Sequence, residues 1–79
     1  MVSDSDTVER RIAMNEVELK VEMLRNKETQ TKLAAAMGMQ PSNLNDRIKG
    51  KTEFRQSEIN FIRKRYNLSA ARMEEIFFA

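Results

Sequence analysis

Between Thr29 and Lys51 the sequence runs TQTKLAAAMGMQPSNLNDRIKGK, and this stretch limits the possible folds more than any other. Leu33, Ala34 and Met37 fall at helical spacing. Gly38 follows, at a position suited to the residue just past a helix end, where glycine enters a left-handed conformation at little cost. Pro41 opens a second run, with Leu44 and Ile48 on one face. Proline suits the first turn of a helix, where a missing N–H costs nothing. Ala34 is small, as required where two crossing helices approach closely. The spacing predicts two short helices around a tight, glycine-containing turn, the arrangement of a DNA-reading helix-turn-helix. The same pattern also suits an ordinary helical hairpin in a small bundle.

Seventy-nine residues suffice for one domain, near the lower limit for a self-sufficient core. The chain has no cysteine, hence no disulfide framework, and no histidine, which removes the commonest general base and zinc ligand. No apolar run approaches the roughly 20 residues of a membrane span. The first residues, MVSDSDTVERR, are acidic and polar, unlike a secretory signal. A cytoplasmic protein with no membrane association is expected.

Charge is unevenly placed. Residues 1–28 hold seven acids against five bases, and residues 29–79 hold five acids against nine bases. The basic part therefore contains the paired helices, and it favours a polyanionic partner. Arg47, Lys49, Lys51 and Arg55 leave the second helix as a group suited to phosphates. Arg63, Lys64 and Arg65 read as a solvated helix face.

Residues 1–14 are expected to form an acidic N-terminal extension, either disordered or fraying into a helix, and Met14 is an alternative start. Residues 15–79 make the domain. In the segment from Asn15, Val17, Leu19, Val21 and Met23 alternate at the strand period, while Val17, Val21 and Leu24 fit the helical one. Helix is preferred. Asn15 and Glu18 resemble a capping pair, the residues are good helix formers, and a lone strand has no partner. Residues 50–53 read as a loop closed onto the core by Phe54. Ile59, Ile62 and Tyr66 mark an amphipathic helix, with Phe61 beside the stripe and Asn67 as its stop. Ser69 is a good N-cap for a last helix with Met73, Ile76 and Phe77. Ile76, Phe77 and Phe78 either cap the core or supply a dimer surface, with core preferred for Phe77. The expectation is an all-α domain of five short helices.

Catalysis has little support. Glu74 and Glu75 are adjacent on a helix and diverge, and two glycines make no phosphate-cradling loop. Methionines 23, 37 and 73 sit on apolar faces as core filling. No enzymatic activity, metal site or cofactor is expected.

From about Asn15 to the end, the chain resembles the Cro/repressor-type helix-turn-helix (XRE) family. The resemblance is carried by TQTKLAAAMGMQPSNL, by IKGKTEF, and by SEI followed by LSAARMEEIFF. The closing part is especially similar to small phage-borne repressor-like regulators. The resemblance implies a single five-helix repressor-like domain, with the helix near 29–37 crossing the phosphate backbone and that near 41–48 in the major groove. Gln30 matches a position that contacts phosphate and braces the reading helix. Gln40 stands at the second helix's cap, where the family often has Ser or Thr. Pro41, Ser42, Asn45 and Asp46 are expected to meet base edges, and Asn43 the backbone. Asn suits adenine. Asp46 either accepts from a cytosine amino group or pairs with Arg47 or Lys49. Arg47, Lys49 and Lys51 hold phosphates, which position without specifying. Pro41 and Asp46 depart from the family's usual chemistry. The function implied is a sequence-specific, double-stranded DNA-binding transcription regulator of phage or mobile-element type. It would act as a homodimer on a pseudo-palindromic operator. The alternative is a protein-interaction module on the same fold, such as an antirepressor.

Overall fold

The computed structural model describes residues 14–78. The extension expected over residues 1–14 lies outside these apart from Met14, which is partly buried against the core. Five helices follow one another: α1 (Glu16–Arg25), α2 (Gln30–Met37), α3 (Pro41–Ile48), α4 (Gln56–Tyr66) and α5 (Ala70–Phe77). The described residues contain no strand, so the ambiguous segment after Asn15 is helical.

Local chemistry sets most of the helix ends. The side chains of Asn15, Thr29 and Ser69 accept from the backbone N–H of Glu18, Lys32 and Arg72 at 3.1–3.2 Å, satisfying donors that a first helical turn leaves free. The expected Asn15–Glu18 pair forms only by half, because the Glu18 carboxylate turns to Arg72 at 2.7 Å. The N–H of Asn15 instead donates to the Ile76 carbonyl at 2.6 Å. Helix α2 stops at Gly38, whose φ of +72° lies in the left-handed region. The N–H groups of Gly38 and Met39 return to Ala35 and Ala34. Pro41 then occupies the first turn of α3. Asn67, with φ +53°, ends α4 as expected.

Leu19, Leu33, Leu44, Ile48, Ile62 and Ile76 form the centre of the core, all essentially without exposure. Ala34 is fully buried, and α2 packs on α3 and α1 on α5. Phe54 stacks edge-on against Phe77 at 5.5 Å between ring centroids, closing the loop after α3 onto the last helix. Ile76 and Phe77 belong to the core, so of the three C-terminal candidates for a dimer surface only Phe78 is exposed.

One helical face differs from the expectation. Helix α1 buries Leu19, Glu22 and Met23, whereas Val17 and Leu24 are exposed. The alternating sequence holds two apolar stripes at helical spacing, 19/23 and 17/21/24. Arg72 on α5 contacts Glu18 and Glu22 at 2.7 and 2.6 Å, on the side of α1 that carries the first of these stripes. Leu19 and Met23 turn inward with those acids.

Candidate nucleic-acid interface

Helix α3 divides cleanly. Leu44 and Ile48 are buried, and the rest of the helix is built of proline, serine, asparagine, aspartate and arginine. Pro41, Ser42 and Asn43 are exposed, as is Gln40 before them, while Asn45, Asp46 and Arg47 are half-buried. At helical spacing Ser42, Asn45, Asp46 and Lys49 share one side, opposite the apolar anchors. The Gln40 side chain makes no capping bond. Its amide therefore remains available to a ligand, unlike the capping groups of Asn15, Thr29 and Ser69.

Gln30 sits at the start of α2 and reaches across to α3. Its Nε2 donates to Asn45 Oδ1 at 3.1 Å. This bond joins two candidate residues from different helices and fixes the Asn45 amide. The Asn45 Nδ2 donors point to no partner among the described residues.

The basic residues separate into two groups. The Arg47 side chain is only 16% exposed, with its Nε 2.8 Å from Glu58 Oε1 and its Nη1 donating to the Asn43 carbonyl at 3.3 Å. Arg47 thus fastens α3 to α4, which leaves it less free to hold a phosphate than its place in the sequence implies. A guanidinium bonded to a largely buried carboxylate gains little by exchanging it for a solvated phosphate. Glu58 also accepts from the Arg55 N–H at 2.9 Å, so its carboxylate holds both the arginine and the start of α4. Lys49 contacts Glu16 at 3.1 Å but keeps 45% of its side chain exposed. Lys20 first, then Lys49, hold the Glu16 carboxyl below its ordinary 4.5. Lys51 and Arg55 are exposed with no acidic partner among the described residues, as are Lys32, Arg63 and Lys64.

Asp46 does not pair with Arg47 or Lys49, because those two side chains are taken by Glu58 and Glu16. This removes the pairing with Arg47 or Lys49 from the two readings left open for Asp46. Its backbone carbonyl accepts from Lys51 and Thr52, folding the GKTE loop back over the end of α3. The carboxylate stays on the polar side of the helix.

Glu16, Glu28 and Glu58 were missed as organisers of the basic residues. No local spacing signals these bonds, since the basic partners Arg47, Lys49 and Arg65 lie 11 to 37 residues away from their acids. Arg65 grips Glu28 through Nε at 3.0 Å and Nη2 at 2.5 Å, and the Tyr66 hydroxyl donates to the same carboxylate at 2.5 Å. Arg65 also lies over the Phe61 ring, 5.8 Å from its centroid. These groups line a polar recess of about 250 Å³ with Asn26, but they already satisfy one another. Among the described residues no cluster of acidic side chains is arranged to hold a metal ion, and no helix is long and apolar enough to cross a membrane.

Comparison with protein-family models, with curated proteins and with solved structures found no match to the chain.

Proposed function

We propose that this chain is a sequence-specific, double-stranded DNA-binding regulator of transcription that lays α3 in the major groove. The observation that carries the reading is the outer side of α3, where hydrogen-bonding side chains stand on a helix anchored from below by Leu44 and Ile48. Base edges are read by such donors and acceptors, and a helix fits the major groove. The Gln30–Asn45 bond supports it by holding a base-reading amide in one orientation before any ligand arrives. Lys51 and Arg55, with Lys49 in part, supply exposed charge beside the helix for phosphates. The resemblance to the Cro/repressor-type family points the same way. Tight binding would need two copies on a pseudo-palindromic site, because one such helix makes few contacts.

Selection from a random duplex library tests this directly, followed by a salt titration of the recovered sequence. The expected result is an enriched motif whose affinity falls steeply with salt. Failure to enrich any motif would overturn the proposal.

A protein-interaction module is the second reading, favoured by the Asp46 carboxylate. It lies on the side of α3 that would face DNA, without a cationic partner among the described residues, and there it repels phosphates. With Arg47 committed to Glu58, the site also has one cation fewer than the sequence suggests.

A further inference from the structure

A side-chain amide has a donor end and an acceptor end, and what it reads depends on which end faces out. A free asparagine suits adenine because it uses both, Oδ1 accepting from N6 while Nδ2 donates to N7. Asn45 is not free. Gln30 Nε2 donates to its Oδ1 from α2 at 3.1 Å. The acceptor end is therefore turned back towards α2, and Asn45 offers the hydrogens of Nδ2 outward. Both residues are half-buried, and the bond joins positions 15 apart in the chain, so the fold itself sets this orientation. Asp46 beside it has the opposite polarity. An ionised carboxylate only accepts, and Asp46 has no cationic partner among the described residues.

We infer that Asn45 and Asp46 together select a G·C base pair, Asn45 meeting the guanine and Asp46 the cytosine amino group. This rests on the DNA reading of α3 and adds to it the base pair that is read. Guanine presents N7 and O6 side by side, both acceptors, and so suits a group that only donates. Cytosine N4 is a donor and suits a group that only accepts. Side chains at adjacent helical positions diverge, so they fit the two bases of a pair better than two neighbouring atoms of one base. Adenine fits less well. Its N6 amino group has to compete with Gln30 for Oδ1, and thymine O4 across the pair then meets the carboxylate. Thymine facing Asn45 offers one acceptor beside a methyl group. The adenine preference expected from the residue type is thereby reversed. Gln30 is a positioning residue here: it acts on specificity through Asn45 and touches no base itself.

Selection from a random duplex library, run in parallel on the unaltered chain, Asn45→Ala and Gln30→Ala, tests this. The position that loses its base preference in Asn45→Ala is the one Asn45 faces. In the unaltered chain that position should be G·C, enriched roughly three- to tenfold over A·T. Gln30→Ala releases the amide to use both ends, so the same position should shift towards A·T while the rest of the motif is kept. Alanine is a good helix former, and the variant should keep the parent's helicity and melting. If it does not, Gln30→Glu takes its place. A carboxylate is favourable in the first turn of α2. It accepts from Nδ2, turns Oδ1 outward and should likewise displace guanine. A second readout needs no DNA: by NMR, the Gln30 side-chain amide hydrogens should exchange more slowly than those of Asn45. Slower exchange at Asn45 means that the bond runs the other way and overturns the inference. So does A·T at that position in the unaltered chain, a motif that Asn45→Ala leaves unchanged, or a G·C preference that survives the Gln30 substitutions. Each of these leaves the DNA reading standing if a motif is enriched, whereas no motif at all overturns both.

Discussion

Tyr66 shows how much one residue's surroundings can change its chemistry. It is 6% exposed and donates its hydroxyl hydrogen to Glu28. Burial first, and the Glu28 hydrogen bond second, push its ionisation well above the ordinary 10.0. A group whose folded pKa is raised contributes stability below its unfolded pKa and loses it as pH rises through the folded one. Stability should therefore decline above about pH 10. The sequence has one tyrosine, so the test is clean. Tyrosinate absorbance near 295 nm should appear only together with loss of helicity. Ionisation near 10 in the fully folded chain would contradict the bond to Glu28. Ala34 makes a second residue-scale case. It is fully buried beside Leu33 in the helix that packs on α3. Ala34→Glu places an unpaired carboxylate there and should cost about 3 kcal/mol or more, read from denaturant unfolding. An unchanged midpoint would show that the α2–α3 contact is placed wrongly.

Among the helices, α3 carries the functional argument, and its residues should respond differently to truncation. Lys51→Ala removes an exposed ammonium without an acidic partner. It should leave stability unchanged, weaken binding to every duplex, and lower the salt slope by about one unit. Asn45→Ala should reduce discrimination between operator and scrambled duplex by about 1–3 kcal/mol. Arg47→Ala should act chiefly on folding, because it strips a largely buried Glu58 of its partner, at about 1–3 kcal/mol. Fluorescence anisotropy across a salt series, beside chemical denaturation, measures all three. Stable Arg47→Ala protein with selectively lost DNA binding would return Arg47 to the phosphate set. Only contacts between helices separate these roles, since Arg47, Lys49 and Lys51 look equivalent along the chain.

Across the whole molecule, ion pairs join helices distant in sequence: Glu16 to Lys49, Glu28 to Arg65, and Glu18 and Glu22 to Arg72. The Glu28 bridge ties the α1–α2 connection to the end of α4. The Arg65 hydrogen bonds foremost, with help from Tyr66, hold the Glu28 carboxyl below its ordinary 4.5 against the opposing effect of burial. A depressed carboxylate contributes stability above its unfolded pKa and loses it as pH falls through the folded value. Glu28→Gln should therefore flatten the loss of stability that the parent shows below about pH 4.5, while lowering stability near neutrality. An acid limb of unchanged steepness would show that Glu28 is not protonated differently on folding.

Local signals determined the helices themselves. Caps at Asn15, Thr29 and Ser69, stops at Gly38 and Asn67, and the stripes 44/48, 59/62/66 and 73/76/77 depend on neighbours within one or two turns, so they can be read along the chain. The polar outer side of α3 follows from the same periodicity. Tertiary structure decided which stripe of α1 faces inward, because two suitable stripes existed and the inward one packs towards α5, whose Arg72 meets Glu22 from about 50 residues away in the chain. It also decided which cations are spent. Arg47 was lost to Glu58 and Lys49 shared with Glu16, while Lys51 remained exposed. A charge shows along the chain only what it can attract. Whether it has been satisfied depends on which acid the fold brings within about 3 Å.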